Sequence, residues 1–209
     1  MRYSELYIMY DWRKMTDKER AEILKERKGR KQPWHAPPHW EYEGLIRFIV
    51  TAACYEHKNI IGHNQQRIAK FENDLLNTCE DFGVKLYAWC ILPNHYHILI
   101  QTDKIREFQS KGLGKLHGTT SFQWNGEENL RGRQIWYKSF ERPMKSGRHY
   151  WASLNYIHNN AVHHSYVKKW QDWAFSSANN FIENVGREKT VEIWNDYPIL
   201  DYGKDWDNY

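Results

Sequence analysis

The chain has 209 residues, a length that fits one domain with a sizeable core and leaves little room for a second. No apolar stretch approaches the roughly 20 residues that cross a bilayer, and no apolar block follows the first residues as in a signal peptide. We therefore expect a soluble, cytoplasmic protein with no membrane partner. The three cysteines include no Cys-x-x-Cys pair, which argues against a disulfide framework and against a thiolate zinc site.

The net charge of +4 is modest, but it is unevenly distributed. Between positions 104 and 148, ten lysines and arginines stand against four glutamates, a net of +6. Positions 183–209 carry seven acids and three bases, a net of −4. Eleven tryptophans and fourteen tyrosines accompany these charges. Basic charge interleaved with aromatic rings is suited to single-stranded nucleic acid, although a solvated basic face over an aromatic core would give the same composition.

In chain order, the first predicted elements are a strand, a helix and two strands. The apolar, β-branched run 45–53 predicts a central strand. Apolar residues at spacings of three and four predict a helix over 65–82, with Gly83 at its C-terminus. Positions 84–100 predict two strands joined by a turn at Pro93-Asn94, or one strand with a bulge.

The second half of the chain continues the alternation of predicted strands and helices. Positions 103–124 have helical spacing in parts, although they contain three glycines, and 125–133 are predicted to form a polar loop. A short strand is predicted over 135–140 and a helix over 148–162. This order of elements predicts an α+β fold in which helices cover an antiparallel sheet.

The main candidates for chemistry are two histidines on a strand and two residues on the last helix. Alternate side chains of a strand share a face, so His95 and His97 project together while Tyr96 projects to the other side. Tyr156 and Asn160 lie four residues apart and share a helix face. If that face meets the histidines, they and Asn160 could hold a divalent cation, and Tyr156 could attack a phosphate bound there. A chance His-x-His pair and a packing tyrosine are the alternatives.

In several blocks the sequence resembles the REP-associated tyrosine transposases, members of the single-tyrosine group of HUH nucleases (histidine, hydrophobic, histidine). The blocks are Pro38–Glu41 with the strand up to Thr51, Tyr87–Trp89 through His97, Ile135–Trp136 with Phe140–Arg142, Tyr156–Asn160, and Asp172–Ala178. Two positions depart from the family pattern, because Ala161 stands where proline is usual and Tyr137 replaces a common glutamine.

The resemblance implies a catalytic domain over 37–182 with the HUH single-tyrosine nuclease fold, a ferredoxin-like antiparallel sheet flanked by helices. Residues 1–36 would then be an N-terminal extension, and 183–209 an acidic C-terminal extension.

For the site, the resemblance implies that His95 and His97 are metal ligands, that Asn160 assists the metal, Mg²⁺ or Mn²⁺, and that Tyr156 is the nucleophile. Phenol has a reference pKa of about 10, so the attack needs a nearby cation or a base. His158 lies about 200° around the helix from Tyr156, so we expect it to make a structural or DNA contact.

The implied reaction cleaves and transfers single-stranded DNA through a 5′-phosphotyrosine. The implied substrates are hairpin-forming repeats with a short guide sequence, and the enzyme would act as a monomer or homodimer. We expect no nucleotide cofactor, because the chain has no Walker-type motif. Basic residues in the later half are candidate phosphate contacts, namely Arg131, Arg133, Arg142, Lys145 and Arg148.

Two other functions fit the same residues. In a metal-dependent hydrolase, the histidine pair would activate water and Tyr156 would be structural, so cleavage would not produce a covalent adduct. In a non-catalytic module, the sheet and its aromatic residues would bind RNA or DNA without cutting it.

Overall fold

The computed structural model describes residues 44–200 and a few single positions between 16 and 25. Residues 44–200 belong to one compact unit. Most of the predicted N-terminal extension, and the block Pro38–Glu41, lie outside the described residues.

A four-stranded sheet forms the centre of this unit. Its strands are β1 (Ile46–Ala53), β2 (Lys85–Ile91), β3 (His95–Thr102) and β4 (Phe140–Pro143). Their spatial order is β2-β3-β1-β4, and every pairing is antiparallel. This order is the ferredoxin-like one, and it confirms the predicted α+β class. The central strands β1 and β3 are mostly buried, which requires helices on both faces of the sheet.

A single helix and a continuous run of helical segments cover one face of the sheet. Helix α1 (Gln65–Asp81) begins at Asn64, whose side chain accepts a hydrogen bond from the backbone of Arg67. The short helix α2 (Ile105–Glu107) continues through a π-helical segment (Phe108–Leu113) into helix α3 (Gly114–Glu127). On this face the ring of Phe71 packs 5.5 Å from that of Tyr96 and 5.8 Å from that of Trp124.

Helix α4 (Gly147–His163) covers the opposite face. Its N-cap is Ser146, whose hydroxyl accepts a hydrogen bond from the backbone of His149. The apolar side of α4 packs on β2 and β3 in a cluster that includes Leu154 and Ile157 from the helix and Leu99 from the sheet. This face carries the site.

Two further helices follow, α5 (Ala178–Val185) and α6 (Arg187–Asp196). Helix α5 runs across position 182, the predicted end of the catalytic domain. Asn155 of α4 donates hydrogen bonds to the carbonyls of Trp194 and Tyr197, which holds the end of α6 against α4. The domain boundaries themselves stay predictions.

The strand predicted over 135–140 is wrong by several residues. The pairing with β1 falls on Phe140–Pro143, and Trp136 makes one isolated bridge with Cys54. Two backbone hydrogen bonds, from Tyr55 to Ile135 and from Tyr137 to Ala53, hold this part of the chain beside the end of β1. Side-chain packing adds to them, because the Trp136 indole stacks on His117 and donates a hydrogen bond to Thr120.

The remaining expectations about the fold have mixed outcomes. The two strands joined at Pro93-Asn94 are confirmed, but the loop predicted from 125 begins only after Glu127, where α3 ends.

The three cysteines, Cys54, Cys79 and Cys90, are free and buried, and burial raises the pKa of each thiol to about 12. In the described ranges, no helix is long and apolar enough to cross a membrane.

Candidate active site

The two histidines lie side by side on β3, on the face covered by α4. His95 pairs across the sheet with Ala53, and His97 pairs with Thr51. Their ring centroids are 5.0 Å apart, and only 2% of His95 and none of His97 is exposed. Tyr96 points to the opposite face, as the alternation of a strand predicts.

Helix α4 brings Tyr156 and Asn160 to these histidines. The Tyr156 hydroxyl lies 3.5 Å from His97 Nε2, and the tyrosine is 1% exposed. Asn160 follows one helical turn later and is fully buried, yet neither atom of its amide group has a hydrogen-bond partner. Buried amide groups are almost always hydrogen-bonded, so Asn160 is suited to a ligand that is not part of the chain. The helix face that carries Tyr156 therefore meets the histidine pair, through Tyr156 at His97 and through His164 at His95.

Both histidines are held through Nδ1. Asn94 donates from its amide nitrogen to the His57 carbonyl and accepts at Oδ1 from His95 Nδ1, over 2.7 Å. The Thr51 hydroxyl lies 2.7 Å from His97 Nδ1. Such contacts fix the ring orientation and assign Nε2 of each histidine as the nitrogen that could bind a metal.

The donor set fits a divalent cation with open coordination positions. Two imidazole nitrogens from His95 and His97, and the amide oxygen of Asn160, would supply three ligands. Between residues 44 and 200, no group of three or more His, Cys, Asp or Glu side chains could hold a metal ion. Imidazole nitrogen and amide oxygen donors of this kind suit Mg²⁺ or Mn²⁺.

The sequence prediction missed three neighbours of the site. Thr51 and Asn94 hold the histidines, and the ring of His164 lies 4.9 Å from that of His95. His164 follows Tyr156 and Asn160 at a second spacing of four, which places it on the same helix face. That spacing was a usable signal for His164, whereas the contact of Thr51 depends on the register of β1 against β3.

The five predicted phosphate contacts differ in their surroundings. Lys145 and Arg148 are exposed around the first turn of α4, and Arg142 lies half-buried in β4. Arg131 is exposed, whereas Arg133 is bound within the protein, because it forms an ion pair of 2.9 Å with Glu128 and donates to Asn125. Their contact with DNA stays a prediction.

His158 lies in the protein core, where its neighbours are structural side chains. It is buried against the rings of Phe181 and Trp194, and its Nε2 lies 3.1 Å from the Ser177 hydroxyl. Burial lowers its pKa to about 3, so the ring is neutral at physiological pH. Ser177 also hydrogen-bonds the backbone of Trp89 and so links this core to β2.

The chain is similar to known proteins in sequence and in fold. The family model described as Transposase IS200 like matches residues 42–160. A Haemophilus influenzae protein named "Putative REP-associated tyrosine transposase" is 29% identical over 142 residues, which are 64% of this chain and 79% of that protein. The structure of a REP-associated tyrosine transposase bound to a REP hairpin matches with a TM-score of 0.54 and 18% identity, over 69% of this chain and 83% of that chain.

The family match covers more than half of the chain and includes the histidine pair, Tyr156 and Asn160. The chain therefore belongs to the IS200-like transposase family, whose activity is DNA transposition, and it is similar to the REP-associated tyrosine transposases.

Proposed function

We propose that this protein is a single-tyrosine HUH transposase that cuts and rejoins single-stranded DNA, with Tyr156 as its nucleophile. The observation that carries the proposal is the 3.5 Å distance between the Tyr156 hydroxyl and His97 Nε2, next to the unpartnered amide of Asn160. A tyrosine with a purely packing role would not need an oriented imidazole at its hydroxyl and an unsatisfied amide one helical turn away.

The reaction is a transesterification at phosphorus. The Tyr156 oxygen attacks the scissile phosphate, forming an O–P bond as the P–O3′ bond breaks. The phenol loses its proton and the departing 3′ oxygen gains one, which leaves a 5′-phosphotyrosine and a free 3′-hydroxyl. Because one phosphodiester replaces another, the bond energy is conserved for rejoining, and no nucleotide needs to be hydrolysed.

A divalent cation, Mg²⁺ or Mn²⁺, would be held by His95, His97 and Asn160. When bound, it would stabilise the charge that develops on the non-bridging phosphate oxygens. The protein's own contribution is orientation: Asn94 and Thr51 fix the imidazole rings, and the packing of α4 fixes the phenol.

The proposed substrate is a hairpin-forming repeat with a short guide sequence beside it. A likeness in fold to a transposase whose structure holds a REP hairpin supports this choice. The exposed residues Arg131, Lys145 and Arg148 are the simplest phosphate contacts. Arg133 would have to exchange its ion pair with Glu128 for such a contact.

The test uses a purified hairpin oligonucleotide from the flanks of the protein's own gene, labelled at the 5′ end in one sample and at the 3′ end in another. Wild type and Tyr156→Phe are incubated with Mg²⁺, Mn²⁺ or EDTA and separated on a denaturing gel. We expect a metal-dependent adduct that carries only the 3′ label, because the 5′-phosphate of the downstream fragment is the group bound to tyrosine.

Each alternative function predicts a different gel. Cleavage that persists in Tyr156→Phe without an adduct would replace the proposal with the metal-dependent hydrolase. Tight binding of the hairpin with no cleavage by wild type in either metal would replace it with the non-catalytic binding module.

A further inference from the structure

An exposed aromatic ring lies on helix α3, away from the site described above. Phe122 is 73% exposed, whereas the other seven phenylalanines of the chain are buried or half-buried. Burial of a phenylalanine side chain contributes about 1.5–3 kcal/mol, so a ring left in water in a protein with an ample core is suited to a contact outside the fold.

Arg131 is fixed against this ring. Its guanidinium carbon lies 4.5 Å from the ring centroid of Phe122, and Nη1 donates a hydrogen bond of 2.8 Å to the Phe122 carbonyl. Glycine at position 126 allows the arginine to lie this close to the helix, because a Cβ at Gly126 would lie 2.5 Å from Arg131 Nη2. The guanidinium is therefore held in a defined place rather than moving freely in solvent.

The charge of Arg131 is not compensated by an acidic residue in the described part of the chain. This distinguishes it from Arg133, two residues later, which is paired with Glu128. Beside the pair, Leu130 is 48% exposed, and nothing lies within 4 Å of a Cβ built at Gly118, one turn before Phe122. Around the ring, the exposed apolar side chain of Leu130 therefore lies close to the unpaired charge of Arg131.

We propose that Phe122 and Arg131 form a stacking platform for an unpaired base of the DNA substrate. This inference rests on the proposed function and adds a second contact to it, on the opposite face of the sheet from Tyr156. Planar aromatic and guanidinium groups stack on bases of any sequence, and a neighbouring positive charge attracts the phosphate that follows the base. A base in a duplex is already stacked, so the platform selects single-stranded DNA.

The test compares two DNAs, a hairpin with a single-stranded flank that contains 2-aminopurine and a fully paired duplex of the same length. All variants are made in Tyr156→Phe, so that cleavage does not alter the binding measurement. We expect Phe122→Ala to weaken hairpin binding by about 5- to 150-fold, the range for loss of one stacked base, and to leave duplex binding unchanged. The fluorescence quenching of 2-aminopurine should fall with it.

Two variants separate stacking from charge. Arg131→Lys keeps the charge and loses the planar group, so it should weaken hairpin binding more than duplex binding. Lys115→Ala removes an exposed charge from the same helix and should weaken both DNAs equally.

Hairpin binding unchanged in Phe122→Ala would overturn the platform, and so would full binding by Arg131→Lys. A change of oligomeric state in Phe122→Ala with unaltered DNA binding would also overturn it, in favour of a protein contact. If the parent protein binds neither DNA, the proposed function itself fails, which is a distinguishable result.

Discussion

Single residues outside the predicted set orient the candidate site. Thr51 and Asn94 each hold one imidazole through Nδ1, and neither was identified as a site residue from the sequence. With Nδ1 held by Thr51, Nε2 of His97 lies 3.5 Å from the Tyr156 hydroxyl. In metal sites, outer contacts of this kind typically change affinity by about 10- to 100-fold when they are lost.

We expect Thr51→Val to weaken Mn²⁺ binding by about tenfold, because valine nearly matches threonine in shape but has a methyl group in place of the hydroxyl that holds His97 Nδ1. Isothermal titration of Mn²⁺ into the folded protein measures this directly. Thr102→Val is the matched control, since it removes a hydroxyl at the far end of the β1–β3 pair, where Thr102 lies opposite Ile46. Equal affinities for wild type and Thr51→Val would show that the hydroxyl does not position His97.

At this scale, sequence reasoning identified the residues whose spacing carries a signal. The pair His95 and His97 follows from strand alternation, and the shared face of Tyr156 and Asn160 follows from helical periodicity. The partner of His97 could not be found in this way, because it depends on the register of two strands that lie about 46 residues apart in the chain.

Among the elements, the turn between β2 and β3 packs closely against Gly62. Gly62 donates a backbone hydrogen bond to the Pro93 carbonyl, and a Cβ at Gly62 would lie 2.4 Å from the Pro93 Cβ. Pro93 precedes Asn94, which holds His95, so this packing also bears on the site. A side chain at position 62 would have to displace the turn.

Gly62→Ala should therefore lower the free energy of unfolding by about 1–3 kcal/mol, the usual cost of overpacking. The control is Gly118→Ala, where no atom lies within 4 Å of the new Cβ and alanine favours the helix by about 0.5–1 kcal/mol. Urea denaturation of the two variants should give changes of opposite sign. A neutral Gly62→Ala would mean that the turn moves without cost.

The order of the elements was predictable, whereas the pairing of the last strand was not. Hydrophobic periodicity located β1, α1, β2, β3 and α4, because each has a clear period or an apolar run. The run 135–140 also looks like a strand, yet it makes only an isolated bridge at Trp136, whose indole is buried by stacking on His117 rather than within a continuous strand pairing. Local pattern does not distinguish these two ways of burying a residue.

Across the whole molecule, stability should depend on pH through the buried His158. The pKa of this ring is lowered to about 3 in the folded protein and is near 6.5 in the unfolded chain. Below about pH 6.5 the unfolded chain binds a proton that the folded protein does not, so stability falls by up to about 1.4 kcal/mol per pH unit.

Between about pH 7.5 and pH 5, wild type should lose on the order of 2 kcal/mol more than His158→Gln, whose amide does not titrate. Urea denaturation of both proteins at the two pH values gives the difference. Parallel losses in the two proteins would mean that His158 is protonated in the folded state at pH 5.

Identification of the residue that becomes linked to DNA tests the central claim most directly. Trypsin cuts after Arg148 and Lys168, so residues 149–168 form one peptide with three tyrosines, Tyr150, Tyr156 and Tyr166. After reaction with the hairpin and nuclease trimming, mass spectrometry should find a nucleotide on this peptide, and fragmentation should place it on Tyr156. A nucleotide on any other residue, or cleaved DNA with an unmodified peptide, would contradict the account.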